Sequence, residues 1–528
     1  MNAIARVWSD KQLAIFHEIA TGHENILVKA VPGSGKSTTI VESMSHVPRG
    51  RQIIAMAFNK SAMAELKQKV PAGVIASTFH SHGLKACSRA FNRPEVDGDK
   101  GRTISREIAT EAMTGWGRKR VEVLVNESYN DRDRAPSANE RIQIRELVDK
   151  EIREWADSVV KCVSLSKSYL ADTVAQIEDV IDLHQICPPE LEIDRPMFVA
   201  QVQASLRKCA EVTSVVDFDD MVWFPHVHRL AVQQFDEVFV DECQDLNAAQ
   251  ISLVLKTVRK GGRITAVGDP CQAIYGFTGA GADSINQIHK ALDAKVLPLS
   301  ITYRCSKAVV REAQTISMEI EAAPNAVEGS VVAANMERLM NEVREGDFIL
   351  SRTNGPLMGI CLGLLKAGRR ANIQGRDIGT KLAAVMKKAK TNDVDAMLEH
   401  VDAWTALEVK RLTKREKDTT VVTDTQACIH ALSEGETRVD AVIAKIDRLF
   451  ADGDGTARIT LSTTHKAKGL ERENVWLLRD TYMRRPSKED EAGKDDGQER
   501  NLYYVAVTRA MVNLYMVREP KKDQRTAG

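Results

Sequence analysis

The stretch NILVKAVPGSGKSTTI, residues 25–40, decides how the rest of the chain is read. Ile26 to Val28 form an apolar run that predicts a short buried strand. A loop with Ala30, Pro32, Gly33, Ser34 and Gly35 follows, and Lys36, Ser37 and Thr38 then open a helix. Strand, glycine loop and helix stand in the order that grips a polyphosphate. The glycines let backbone N–H groups turn inward, and the helix N-terminus adds partial positive charge. In this reading Lys36 reaches the β- and γ-phosphates and the Ser37 hydroxyl holds Mg²⁺. Ala30 stands where such loops usually carry their first glycine.

Outward from this loop, apolar strands alternate with helices. Residues 52–57 (QIIAMA) and Val74 to Ala76 predict further strands, and so do residues 236–242 (DEVFVDE) and 262–268 (GRITAVG). That alternation is the pattern of a parallel α/β sheet covered on both faces. Asp241 and Glu242 end a hydrophobic strand and have the form of a Walker B pair. Asp241 would hold the magnesium, and Glu242 would orient or deprotonate an attacking water. From about Gly83 to Val215 the chain is polar, helical in period and poor in strands, with helices expected over 139–160 and 166–183. A second α/β series starts near Leu297 and includes strands at 348–350, 459–462 and 475–478. It is interrupted between about Gly379 and Asp454 by another helical stretch, which carries the basic run 410–417. The run is read as a solvated helix face, and His226 and His228, without partners at metal-ligand spacing, as structural.

The 528 residues exceed one hydrophobic core, so two or more domains are expected. With 73 basic and 73 acidic residues the net charge is zero, and any nucleic-acid binding must rest on a local groove. The nine cysteines are scattered singly, which argues against a zinc ribbon or an iron–sulfur cluster and fits a reducing compartment. No run approaches the ~18 apolar residues of a membrane span, so a soluble, intracellular protein with no membrane partner is expected.

The block VDECQD, residues 240–245, resembles the DEAQD box of superfamily 1A DNA helicases of the UvrD/Rep/PcrA type, and further motifs follow in that family's order from residue 12 to 510. The resemblance implies an α/β fold of two RecA-like parallel-sheet domains with helical insertions. The first RecA-like domain would comprise 1–82 and 216–297, with a helical insertion over 83–215. The second would comprise 298–378 and 455–519, with a reduced insertion over 379–454, and 520–528 would be a disordered tail. ATP would lie in the cleft between the two, with Mg²⁺ held by Ser37 and Asp241. Gln12 would read the adenine edge, Tyr303 would stack on it, and Glu471 would face the ribose. Arg304 and Arg509 would touch the γ-phosphate, and Gln272 would sense it. Single-stranded DNA would meet Phe58, Asn59 and Lys60, then Thr78, Phe79 and His80, then Tyr275 and Phe277. In the second domain it would meet Arg352, Asn354 and His465. The block DFDD, residues 217–220, resembles the one that precedes the Walker B strand in this family.

The resemblance implies an ATP-dependent 3′-to-5′ DNA helicase or single-strand translocase, acting on single-stranded and 3′-tailed duplex DNA. Four departures bear on this. Thr38 replaces an arginine that sandwiches adenine, Phe277 replaces the commoner tryptophan, Arg472 replaces an aromatic, and the second insertion is short. The last of these motivates an alternative: a DNA-sensing ATPase switch that recruits or regulates a nuclease or other protein partner without unwinding.

Overall fold

The computed structural model describes residues 7–58, 60–132, 137–186, 195–274, 284–374, 376–414, 419–449, 458–482 and 497–518. The chain divides into two compact units. One comprises Met1–Val28, Ser37–Gly268 and Tyr275–Leu297, and the other Lys29–Lys36, Asp269–Ile274 and Pro298–Gly528.

The first sheet is built from β1 (Ile26–Ala30), β2 (Ile53–Ala57), β3 (Ile75–Thr78), β6 (Phe235–Val240), β7 (Val258–Gly268) and β8 (Lys295–Leu299), in the order β3-β2-β6-β7-β1-β8. The pairings of β2 with β3, β2 with β6 and β6 with β7 are parallel. Its central strands are apolar without alternation because both faces are covered: Ile26, Leu27, Val238 and Phe239 are all buried. Helices α1 (Asp10–Thr21), α2 (Lys36–Ser45), α3 (Lys60–Lys69) and α4 (Phe79–Ala90) alternate with the early strands. Ser9 caps α1 in a capping box with Gln12. At the other end of α1, Arg263 donates to the carbonyls of Glu18 (3.0 Å), Gly22 (2.8 Å) and Ile19 (2.7 Å). Its Nε and Nη2 bond both oxygens of the buried Glu237 at 3.1 Å. The guanidinium thus satisfies a buried carboxylate and the orphan carbonyls of a helix end together.

The helical insertion lies between two short paired strands, β4 (Glu95–Val96) and β5 (Val215–Val216). It contains α5 (Lys100–Arg132), α6 (Ala138–Tyr169), α7 (Val174–Leu183) and α8 (Arg195–Glu211), packed around the buried Trp155. The sequence placed a helix break between 160 and 166, whereas α6 runs on to Tyr169 and ends at Leu170 in a left-handed conformation (φ 56°). The unit is completed by α9 (Phe218–Val227), α10 (Ala248–Thr257) and α11 (Ser284–Leu292).

In the second unit β9 (Ile301–Thr302) pairs with β10 (Glu321–Ala322). The main sheet has β11 (Ser330–Ala334), β12 (Phe348–Ser351), β13 (Ala371–Ile373), β14 (Ile459–Thr463), β15 (Arg472–Leu478) and β16 (Ala510–Val517), in the order β11-β16-β15-β12-β14-β13. Every pairing in it is parallel. Helices α12 (Lys307–Ala313), α13 (Met336–Glu342), α14 (Gly355–Lys366), α19 (Thr464–Ala467) and α20 (Gln498–Val507) flank the strands. The inserted helices are α15 (Arg376–Lys387), α16 (Val394–Lys414), α17 (Thr420–Ser433) and α18 (Val439–Leu449). Their Met386, Met397, Ile429 and Val442 share one buried cluster with Ile349, Leu461 and Trp476 of the sheet. The expected α/β architecture of two parallel sheets with helical insertions is therefore what the chain adopts.

Candidate active site

The glycine loop links β1 to α2. Gly33 (φ 71°) and Gly35 (φ 81°) are left-handed, a conformation that costs glycine nothing and strains other residues. Ser34 is buried, and its Oγ donates to the Val31 carbonyl at 2.8 Å, closing the turn. Tyr303 N donates to the Gly33 carbonyl at 2.9 Å. A Cβ on Gly33 would collide with Cβ of Arg304 and stand 2.8 Å from Thr302 Oγ1, so only glycine lets these backbones approach. Arg304 is ion-paired with Glu471, and Tyr303 presents a half-exposed ring beside the loop. Loop, tyrosine, arginine and Glu471, separated widely in sequence, come together here.

Arg509 is fully buried. Its Nε donates to the Val505 carbonyl (2.9 Å), Nη1 to the Leu470 carbonyl (3.2 Å) and Nη2 to Thr508 Oγ1 (3.3 Å). Arg472, which the sequence left without a role, lies over the Phe348 ring at 4.5 Å and bonds the Arg509 carbonyl through its backbone N at 3.1 Å.

In the first unit, Ser37 Oγ lies 3.5 Å from Asp241 Oδ2. This pair of hard oxygen donors at the start of α2 and the end of β6 fits Mg²⁺. Asp241 Oδ1 accepts from Glu242 N at 2.9 Å. Glu242 is left-handed (φ 52°), a conformation that costs a non-glycine residue on the order of 1–3 kcal/mol. The buried Gln244 donates from Nε2 to the Glu242 carboxylate. A Cβ on Gly268 would lie 2.5 Å from Gln244 Oε1, so the bare end of β7 leaves room for that amide. Gln12 is buried, with Nε2 bonded to Thr39 Oγ1 at 2.9 Å and Oε1 in the Ser9 capping box.

Gln272 Nε2 donates to Asp269 Oδ2 at 2.7 Å. Its segment is gripped from two sides within the second unit. Lys468 Nζ donates to the Gln272 carbonyl at 2.9 Å, and Asn501 Nδ2 to the carbonyls of Pro270 (3.3 Å) and Ala273 (3.1 Å). Gln244, Lys468 and Asn501 were not read as site residues. Gln244 lies inside the block 240–245 quoted above and Lys468 between the expected residues His465 and Glu471, whereas Asn501 carried no signal.

The expected DNA residues divide. Thr78 caps α4 by accepting from Ser81 N, and the Phe79 side chain is buried in the core with Leu27, Ile54 and Val238. Phe58 is partly buried against the same core, and His80 is partly exposed, burial lowering its pKa. Arg352 pairs with Glu499 at 2.9 Å. His465 stands near both, its pKa lowered to about 4, first by burial and then by the Arg352 charge. Asn354 is held by Asp424 through its backbone N (2.9 Å) and its Nδ2 (3.4 Å). Lys60 opens α3. Asn59, Tyr275, Phe277 and the 520–528 tail lie outside the described residues. Among the described residues no cluster of three or more potential metal ligands occurs, and no helix is long and apolar enough to cross a membrane.

Two parallel sheets, a glycine loop opening a helix and a strand-end carboxylate pair define the class of P-loop proteins. Residues 9–293 match the UvrD/REP helicase N-terminal domain and residues 441–519 the UvrD-like helicase C-terminal domain; the chain belongs to the UvrD/REP helicase family. It is similar to ATP-dependent DNA helicase Rep of Salmonella typhimurium, 25% identical over 316 residues, which cover 55% of this chain and 40% of that protein. F-box DNA helicase protein 1 of Schizosaccharomyces pombe is 22% identical over 548 residues, 96% of this chain and 57% of that protein. ATP-dependent DNA helicase PcrA of Staphylococcus aureus is 24% identical over 337 residues, 60% and 40% of the two chains. The chain thus spans less than two thirds of the length of these relatives.

Proposed function

We propose that this chain is an ATP-dependent 3′-to-5′ DNA helicase or single-stranded DNA translocase. The observation that carries the reading is the loop: two left-handed glycines, with Gly33 bonded to Tyr303 and flush against Arg304, in a member of the UvrD/REP helicase family. The names of its relatives, ATP-dependent DNA helicases, support ATP as the nucleotide and DNA as the track.

In this reading the loop N–H groups and Lys36 hold the phosphates of ATP, and Tyr303 offers its exposed ring to the base. Ser37 and Asp241 would hold Mg²⁺, which when bound neutralises phosphate charge. Glu242, oriented by Gln244, accepts the proton of the attacking water. Arg304 and Arg509 stabilise the charge that develops on the transferred phosphoryl group, an effect worth ~10³–10⁵ in rate in related reactions. Gln272 reports the γ-phosphate to the segment that Lys468 and Asn501 grip. Phe58, Thr78, His80, Arg352, Asn354 and His465 belong to the strand-binding surface of the same proposal, together with Asn59, Lys60, Tyr275 and Phe277. The site works inside a cell on single-stranded or 3′-tailed DNA, and the domain boundaries given above belong to this reading.

One observation favours a second reading, the DNA-sensing switch that acts through a protein partner. The second insertion shares the buried core of the second sheet, so it is built as part of that sheet's support rather than as a separate duplex-handling body. The deciding experiment measures ATP hydrolysis against added single-stranded DNA, duplex DNA and RNA, with Lys36→Ala as the blank. It then measures strand displacement on a 3′-tailed duplex. Stimulation by single strands together with displacement is expected. Stimulation without displacement would replace the helicase by the switch, and a rate unmoved by any nucleic acid would overturn both.

A further inference from the structure

The proposed strand surface of the second unit carries carboxylates where a polyanion would have to lie. Arg352 directly follows β12, and Glu499 sits in the first turn of α20. Arg352 Nε lies 3.1 and 3.2 Å from the two Glu499 oxygens, and Nη2 lies 2.9 Å from Oε1. The arginine backbone is fixed as well, its N–H donating to Thr481 Oγ1 at 3.0 Å. Asn354, two residues on, is likewise held by a carboxylate, that of Asp424. The ion pair is no buried strut: Arg352 is 33% and Glu499 29% exposed. His465 beside it is neutral at pH 7, its pKa lowered to about 4 chiefly by burial, so it adds no charge.

A guanidinium is a planar fork with two edges, each able to take an anion. Glu499 occupies the Nε–Nη2 edge. Nη1 makes no bond among the described residues, which leaves the Nη1–Nη2 edge for a second anion. Charge decides how firmly that second anion is held. With a carboxylate already on the fork the pair is neutral, so a phosphate gains hydrogen bonds but little net attraction. Partly exposed ion pairs contribute little to folding stability, so the charge of Glu499 is not explained by the fold.

We propose that Glu499 is a positioning residue: it holds Arg352 by one edge of the guanidinium, presents the other edge to a strand phosphate, and cancels enough charge for that phosphate to leave as the strand advances. The proposal rests on the single-strand reading above and adds to it a limit on grip. A motor must release each phosphate it binds, and an arginine without a counter-charge holds it longer.

The test uses the full chain, oligothymidine and the variant Glu499→Gln, whose amide oxygen still accepts from the guanidinium although the charge is gone. At about 0.1 M salt, single-strand affinity should rise roughly fivefold, and the log–log salt slope should steepen by about 0.7, the contribution of one newly neutralised phosphate. The strand concentration that half-saturates ATP hydrolysis should fall by the same factor, and the maximal rate should fall because release is slower. Glu499→Asp, which keeps the charge, should keep the parent slope. Arg352→Gln should make the slope shallower by about 0.7, and the double variant should restore it. Binding by a folded Glu499→Gln chain that is no tighter than the parent's, with the parent's slope, would overturn the counter-charge. The Arg352→Gln slope decides independently of how well Glu499→Gln folds: equality with the parent would show that this pair does not meet the strand. An unchanged maximal rate in Glu499→Gln would overturn its part in release. A parent chain that binds no single strand at all would instead overturn the proposed function, a different readout.

Discussion

At the scale of single residues, the proposed hydrolysis turns on Glu242. Its place was legible because a carboxylate ending an apolar strand is a pattern in the sequence itself. Its left-handed backbone was not, since nothing in the neighbouring residues marks a positive φ there. The partners that hold it, Asp241 Oδ1 on its N–H and Gln244 Nε2 on its carboxylate, are tertiary facts. Replacing Glu242 by Gln keeps the size and the backbone contact but removes the proton acceptor. Hydrolysis stimulated by single-stranded DNA should fall at least 100-fold, with nucleotide and DNA affinity within a few-fold of the parent. Retention of a tenth or more of the parent rate in a steady-state assay would remove Glu242 as the base. Phe79, expected with Thr78 and His80 to meet single-stranded DNA, has its side chain in the core, a placement set by tertiary burial that the motif itself does not announce.

At the scale of elements, long apolar strands were read correctly from composition, because burial on both faces leaves no polar interruption. The strands that were missed are those whose pattern is weak. β13 has three residues, and β11 and the first half of β16 are only partly buried. The end of α6 escaped because Leu170 takes the left-handed cap position that glycine or asparagine normally announces. The most instructive element is α14. Asn354, its own N-cap residue, makes no side-chain cap bond. Asp424, on α17 and 70 positions away, accepts from the N–H groups of Asn354 and Gly355 instead. A carboxylate on a helix N-terminus also meets the positive end of the dipole. Asp424→Ala should therefore cost about 1–2 kcal/mol in denaturant unfolding, the upper part of the range for lost caps, and Asp424→Asn clearly less. An unfolding curve for Asp424→Ala that superimposes on the parent's would show that the second insertion does not hold this helix start.

At the scale of the whole molecule, equal numbers of basic and acidic residues remove any strong overall field, so the response to pH must come from particular buried groups. The clearest is His82, buried on α4 with its pKa lowered to about 4. Burial is the first cause, and the charges of Lys85 and Arg89 act in the same direction. His465, lowered to about 4 chiefly by burial, adds a smaller contribution because it is partly exposed. The sign follows from proton counting. An unfolded histidine takes its proton near pH 6.5, while the folded one refuses it until pH is about 4. Across that window the unfolded state binds more protons, so acid favours unfolding. The stability these neutral rings support is fully present above pH 6.5 and is lost as the pH falls towards 4. One such proton sets a slope of at most about 1.4 kcal/mol per pH unit. Denaturant midpoints measured at intervals from pH 7.5 to 4.5 should stay level down to about 6.5 and then fall. In His82→Leu the fall should be shallower, whatever the variant's stability at pH 7.5, since the slope counts protons and not contacts. A His82→Leu profile parallel to the parent's across the whole range would place the acid sensitivity elsewhere and refute the assignment to this ring.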